Sequence, residues 1–130
     1  MNTTMLRFKY VNDAVDTMSP GRQIVALYDR LLLDLDRAIA AIERHDLPHA
    51  HDALVHAQAI VTQLYDSLDV AQWPAARTLA EIYAFAHGEL VTANVGKDSA
   101  KIAACRDLLS PLRDAWREAA GLTPSGTAAP

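Results

Sequence analysis

An all-α fold, an antiparallel up-down four-helix bundle with a short N-terminal arm packed on it, is what this sequence predicts, on three observations. Four successive stretches carry apolar residues at alternating steps of three and four, which places each set on one face of a helix; strands would need steps of two. At 130 residues, 51% hydrophobic and 22% charged, the chain can close one core without disulfide or metal clamps. The segments between the stretches read as loops of about two to five residues, and such short loops make consecutive helices antiparallel neighbours.

The first stripe runs Ile24, Tyr28, Leu31, Leu35, Ala38 and Ile42, opened by Ser19 as a capping side chain and Pro20 at the first helical position, where a missing N–H costs nothing. A second follows Asp46, itself a capping residue, and reads Ala50, Ala53, Ala57, Ile60, Leu64 and Leu68. Trp73 and Pro74 open the third, which reads Ala76, Leu79, Tyr83, Ala86, Leu90 and Ala93. Ile102, Cys105, Leu109, Leu112, Trp116 and Ala119 make the fourth, capped by Asp98 or Ser99. Gly96 and Gly121 suit the left-handed residue that closes the third and fourth helices. Pro111 removes one hydrogen bond inside the fourth helix, so a kink is expected near Asp107 to Ser110. The resulting division is an arm over 1–18, a bundle over 19–121, and a tail over 122–130 whose loop composition predicts disorder.

Composition also narrows function. A net charge of −4 without a block of Lys or Arg argues against nucleic acid. No apolar run approaches the ~18 residues of a membrane span and no leader is evident, so membrane insertion is not expected and the protein is read as cytoplasmic. The one cysteine, Cys105, lies on the fourth stripe and reads as a small buried hydrophobe. Neither an enzyme nor a cofactor is expected, since no nucleophile elbow, phosphate-cradling glycine loop or paired Glu-x-x-His set is present. His49, Asp52 and His56 share one face of the second helix, but two imidazoles fall short of the four ligands of a closed metal site.

What the sequence offers instead is apolar surface. Val25, Leu32 and Ile39 run beside the first stripe and widen its arc to about 160°, against the ~100° that a core-facing helix needs. Leu54, Val61 and Tyr65 edge the second stripe, and Val91 with the outlying Phe85 edge the third. Such lines suit a groove for an amphipathic or extended partner. The arm, with Leu6, Phe8, Tyr10, Val11, Val15 and Met18, is too apolar to be comfortable in water and is expected to lie on the bundle.

Taken in order, Tyr10 in a short arm, Val15, Thr17, Ser19-Pro20, Leu27-Tyr28-Asp29, Leu79, Ile82-Tyr83, Leu90, Ala93-Asn94, Asp98 and Leu112-Arg113-Asp114-Ala115-Trp116 resemble the flagellar export chaperone FliS family over residues 10–120. The resemblance implies a cytosolic, non-enzymatic bundle that binds the disordered C-terminal segment of flagellin, prevents premature polymerisation and delivers it to the flagellar type III export apparatus. It implies flagellin-binding residues among Tyr10, Val15, Ile24, Leu27, Tyr28, Leu32, Val61, Leu64, Ile82 and Tyr83, with the arm covering part of the groove until flagellin arrives. Gln72, Trp73 and Pro74 depart from the polar, glycine-containing turn of the family. The alternative reading is a helical-bundle regulator that sequesters another flagellar or transcription-related protein. Whether the free protein forms a homodimer through the groove is left open by the sequence.

Overall fold

A computed structural model describes residues 20–69, 71 and 73–122, and almost all of them are helical. The helices are α1 (Pro20–Glu43), α2 (Leu47–Asp66), α3 (Pro74–Gly96) and α4 (Ser99–Ala119). α1 packs on α2 and α4, and α3 packs on the same two, while the backbones of neither diagonal pair approach each other. The four therefore stand round a square in chain order, which is the up-down bundle that short connections favour. Among the described residues none lies in a strand, and none of these helices is long and apolar enough to cross a membrane.

Local chemistry sets the boundaries. Asp46 Oδ1 accepts the His49 N–H at 3.3 Å at the start of α2, and Asp98 Oδ1 accepts the Lys101 N–H at 3.1 Å at the start of α4. Each satisfies one of the four N–H groups that a helix start leaves free. Pro74 occupies the first turn of α3 behind an extended Trp73. Gly121 takes the left-handed conformation after α4, at φ 73°. At the end of α3 the expectation fails by one residue: Gly96 is helical, and Lys97 is left-handed at φ 49°. The Lys97 ammonium donates to the Asn94 carbonyl at 2.6 Å and to Asn94 Oδ1 at 2.7 Å, contacts that hold a conformation which otherwise disfavours a side chain. His45, at φ 59°, closes α1 likewise.

One further expectation changes. The α2–α3 connection, residues 67–73, is longer than a tight turn, because the chain past α2 folds back on itself: Ser67 Oγ donates to the Leu64 carbonyl, and the Trp73 N–H to that of Asp69. α4 runs unbroken through Pro111 to Ala119. Ser19, the arm and residues 123–130 lie outside the described residues.

The core follows the stripes, and is wider than them. All six α3 stripe residues are buried, as are Tyr28, Leu31, Leu35 and Ala38 of α1, while Ala119 at the end of the fourth stripe is exposed. Val25, Leu32, Leu54 and Val61, read from sequence as edge residues available to a partner, are at most 6% exposed. A helix with neighbours on two sides of a square buries more than a narrow stripe, so the surplus on α1 is spent inside the bundle. Ion pairs strap α1 to its neighbours: Asp29 accepts from Arg117 at 2.9 Å, Asp36 from Arg106 at 3.0 Å, and the buried Asp34 meets His56 Nδ1 of α2.

Candidate functional site

Helix α3 carries large apolar side chains on its outward face, among exposed Arg77, Thr78, Glu81 and Thr92. Its inward face fills the core, yet its outer surface carries exposed Ala75, Ala84, Phe85, Val91 and Val95, with Phe85 60% and Val95 85% open. Apolar side chains of this size left open along one helix face suit contact with a partner. Its pairing with α4 is the thinnest of the four neighbour contacts, and Ile82 is half-buried on the side that turns toward α4. Leu108 of α4 is 36% exposed and Leu112 half-buried.

Two shallow apolar recesses border α3. One, of about 260 Å³, lies between α2 and α3 and is lined by Val61, Thr62, Tyr65, Tyr83, Ala84 and His87. Tyr65 is 48% exposed at its rim. The other, of about 280 Å³, sits at the bundle end where α1 and α3 begin and α2 and α4 finish, and includes Ile24, Leu68, Trp73, Tyr83 and Trp116. Trp73 and Trp116 meet edge to face there, with ring centroids 5.8 Å apart. Gly21 permits the close approach of α1 to the end of α4, since a Cβ on it would stand 3.1 Å from that of Ala120.

Beneath the end recess, Tyr28 of α1 and Tyr83 of α3 bridge the diagonal of the square with their hydroxyls 2.6 Å apart. Burial pushes both phenols above their ordinary value of 10.0, with the hydrogen bond between them adding to the rise for Tyr28 and opposing it for Tyr83. Uncharged at neutral pH, these groups fix the register of α1 against α3.

The residues singled out from sequence thus divide. Ile24, Leu27 and Ile82 are half-buried and border the surface; Ile24 lines the end recess. Tyr28, Leu32, Val61, Leu64 and Tyr83 are core residues, at most 6% exposed, with little side-chain surface to offer a partner while this packing holds. Tyr10 and Val15 lie outside the described residues. Missing from that set were Trp73, Leu108 and Trp116. Their signal was present in the departure at Gln72-Trp73-Pro74 and in the tryptophan next to the end of the fourth stripe, but a side chain's exposure depends on how far two helices separate, which periodicity does not encode.

Three of the five histidines are otherwise engaged. His49 Nδ1 lies 2.5 Å from Asp46 Oδ2, His56 faces Asp34, and His51 Nδ1 pairs with the Asn94 amide at 3.0 Å. Among the described residues no three His, Cys, Asp or Glu converge as metal ligands would. Cys105 is buried, and desolvation raises its thiol to about 11, far from the thiolate that nucleophilic chemistry needs.

Known sequences match most of this chain. The family described as flagellar protein FliS matches residues 3–123. The flagellar secretion chaperone FliS of Bacillus subtilis (strain 168) is 28% identical over 110 residues, which cover 85% of this chain and 82% of that protein. With the family match running through all four helices, the chain belongs to the FliS family.

Proposed function

We propose that this protein is a cytosolic, non-enzymatic export chaperone that holds the disordered C-terminal segment of flagellin on the outer surface of α3 and its two borders. In that form flagellin is kept from polymerising and is handed to the flagellar type III export apparatus. The observation that carries the reading is α3 itself: a helix whose free side presents Phe85, Val91 and Val95 to water suits a cover, and family membership supports a flagellar client in that place. An unfolded client supplies one by laying apolar residues along the helix and into the recesses beside Tyr65 and Trp73. Contact is with the rim, and Tyr28, Leu32, Val61, Leu64 and Tyr83 shape it from below. No cofactor enters this mechanism, because holding a segment needs surface and no bond is made or broken.

The test is a mixture of the purified protein with flagellin, followed by size-exclusion chromatography with light scattering. A 1:1 complex is expected, lost when the C-terminal segment of flagellin is deleted. Phe85→Asp, at an exposed position that leaves the core intact, should weaken it at least ~10-fold, about 1.4 kcal/mol, within the range for truncating an interface anchor. Equal binding of truncated flagellin would remove the client; a normal complex with Phe85→Asp would remove the surface.

A further inference from the structure

On the opposite side of the bundle, α1 carries a ridge whose charge is contrary to that of the protein. Arg22, Arg30, Leu33, Arg37 and Ala40, with Arg44 just past the helix end, are all exposed, and Ala26 is half-buried among them. At 100° per residue these seven fall within about 80° of one another, and at 1.5 Å per residue they extend for about 33 Å. Four of the ten lysines and arginines among the described residues stand on this one strip of a chain whose net charge is −4.

Three acids of α1 lie to the flanks of the ridge, and two of its arginines meet an acid, Arg30 with Asp34 and Arg44 with Asp46. Asp29 is taken by Arg117 at 2.9 Å and Arg113 at 3.5 Å, and Asp36 by Arg106 at 3.0 Å, all on the α4 flank. Asp34 is turned into the α2 interface against His56 and meets Arg30 only at 3.4 Å; Arg44 meets Asp46 at 3.6 Å. Five donors on the guanidinium of Arg30 and of Arg44 leave most of them for another partner after one such contact.

Spacing adds the shape of the occupant. Residues 26, 30, 33, 37, 40 and 44 recur at steps of four and three, which is the seam spacing of paired helices: Ala26, Leu33 and Ala40 form one line, and Arg30, Arg37 and Arg44 the other. Leu33, 42% exposed, is the one large apolar side chain on it. We infer that the outer face of α1 is a docking surface for an acidic amphipathic helix of a second protein, with carboxylates against the arginines and an apolar side chain against Leu33. Because α1 and α3 stand diagonally across the bundle, this face is open while a client occupies α3. The overall negative charge and the single large hydrophobe favour such a helix over a phosphate backbone or an anionic membrane, both of which call for more concentrated positive charge.

Titrating the full chain into a fluorescein-labelled synthetic peptide tests this. The peptide has three helical heptads, with Glu at one seam position and Ala or Leu at the other; a twin carries Lys in place of Glu. Anisotropy at 50 mM salt should report micromolar binding of the Glu peptide alone, weakened about tenfold or more by Arg37→Glu with Arg44→Glu and by raising salt to 300 mM. Leu33→Asp should do the same, and circular dichroism should show each variant folded, since all three positions are exposed. Flagellin binding is expected to be unchanged in all of them, so this proposal and the client reading fail separately. Absence of binding by the Glu peptide, equal binding by the Lys twin, or indifference to the arginine reversals overturns the inference. So does tighter binding to phosphatidylglycerol vesicles or duplex DNA than to the peptide.

Discussion

The hydroxyl pair across the bundle gives the sharpest test of which residues are structural and which touch a client. Tyr28 and Tyr83 are 0% and 1% exposed, so no water replaces a hydroxyl that is removed. Tyr28→Phe takes from the Tyr83 hydroxyl its partner at 2.6 Å, and Tyr83→Phe does the same to Tyr28. Each single change therefore leaves one buried hydroxyl without that bond, for about 1–2 kcal/mol, or ~3–8 °C in melting temperature for a domain of this size. In the double variant neither hydroxyl of the pair remains. Its cost should fall short of the sum of the singles by about 1 kcal/mol, read from urea unfolding as a double-mutant cycle. The pH dependence has a definite sign. Both phenols are raised above 10.0, so their contribution is complete below that value and is lost as pH climbs past it, because the unfolded chain releases those protons first. Of the four tyrosines, these two should show tyrosinate absorbance at 295 nm only as the fold collapses. Strictly additive singles, or ionisation of all four near pH 10 with the fold intact, would refute the buried pair. A loss of flagellin affinity by Tyr28→Phe at full foldedness would make that tyrosine a client contact.

Three other outcomes follow from single contacts. Asp34→Ala should destabilise by about 2 kcal/mol, since it strips a buried carboxylate from between His56 and Arg30, whereas Asp36→Ala, which breaks an exposed pair with Arg106, should cost under ~0.5 kcal/mol; comparable urea midpoints for the two would contradict the burial. Cys105, with its thiol near 11 and buried, should react with Ellman's reagent at pH 8 at the rate of unfolding, and a reaction complete within seconds in native buffer would show the site open. Lys97→Gly relieves a left-handed residue but gives up two hydrogen bonds to Asn94, so its net effect should lie within about 1 kcal/mol of zero; a loss of 2 kcal/mol or more by thermal melting would mean that the ammonium holds the α3–α4 turn.

The sequence was a good guide where a decision is local. Period, proline and capping carboxylates placed the starts of all four described helices, and the α3 stripe was buried residue for residue. It was a poor guide to the fate of edge residues. Val25 and Leu54 look alike on a helical wheel to Val91 and Phe85, but the first two are buried and the last two exposed. The difference is set by which neighbour stands on which side, and α1 and α2 share the bundle's closest pairing while α3 and α4 share its loosest. The left-handed Lys97 was missed for a related reason, since a glycine one residue earlier satisfies the local rule and only the Asn94 contacts reveal where the helix ends.

Polar contacts fit the proposal that α3 is the helix that takes a client. α1 is tied by Asp34 to α2 and by Asp29 and Asp36 to α4, so it cannot shift without breaking charged contacts at several levels. Across the α3 boundaries the ties collect near the ends: His51–Asn94 and Lys101–Glu89 at one, the Trp73–Trp116 pair at the other. Between them α3 meets its neighbours largely through buried alanines and leucines, and through Tyr83, whose hydroxyl reaches across to α1. A helix held this way keeps its axis while its flanks stay free of salt bridges that a client would have to break. Moving the straps from α1 to α3 would leave the core unchanged and cover the apolar flank with paired charge, and that is the arrangement a bundle without a client would be expected to have.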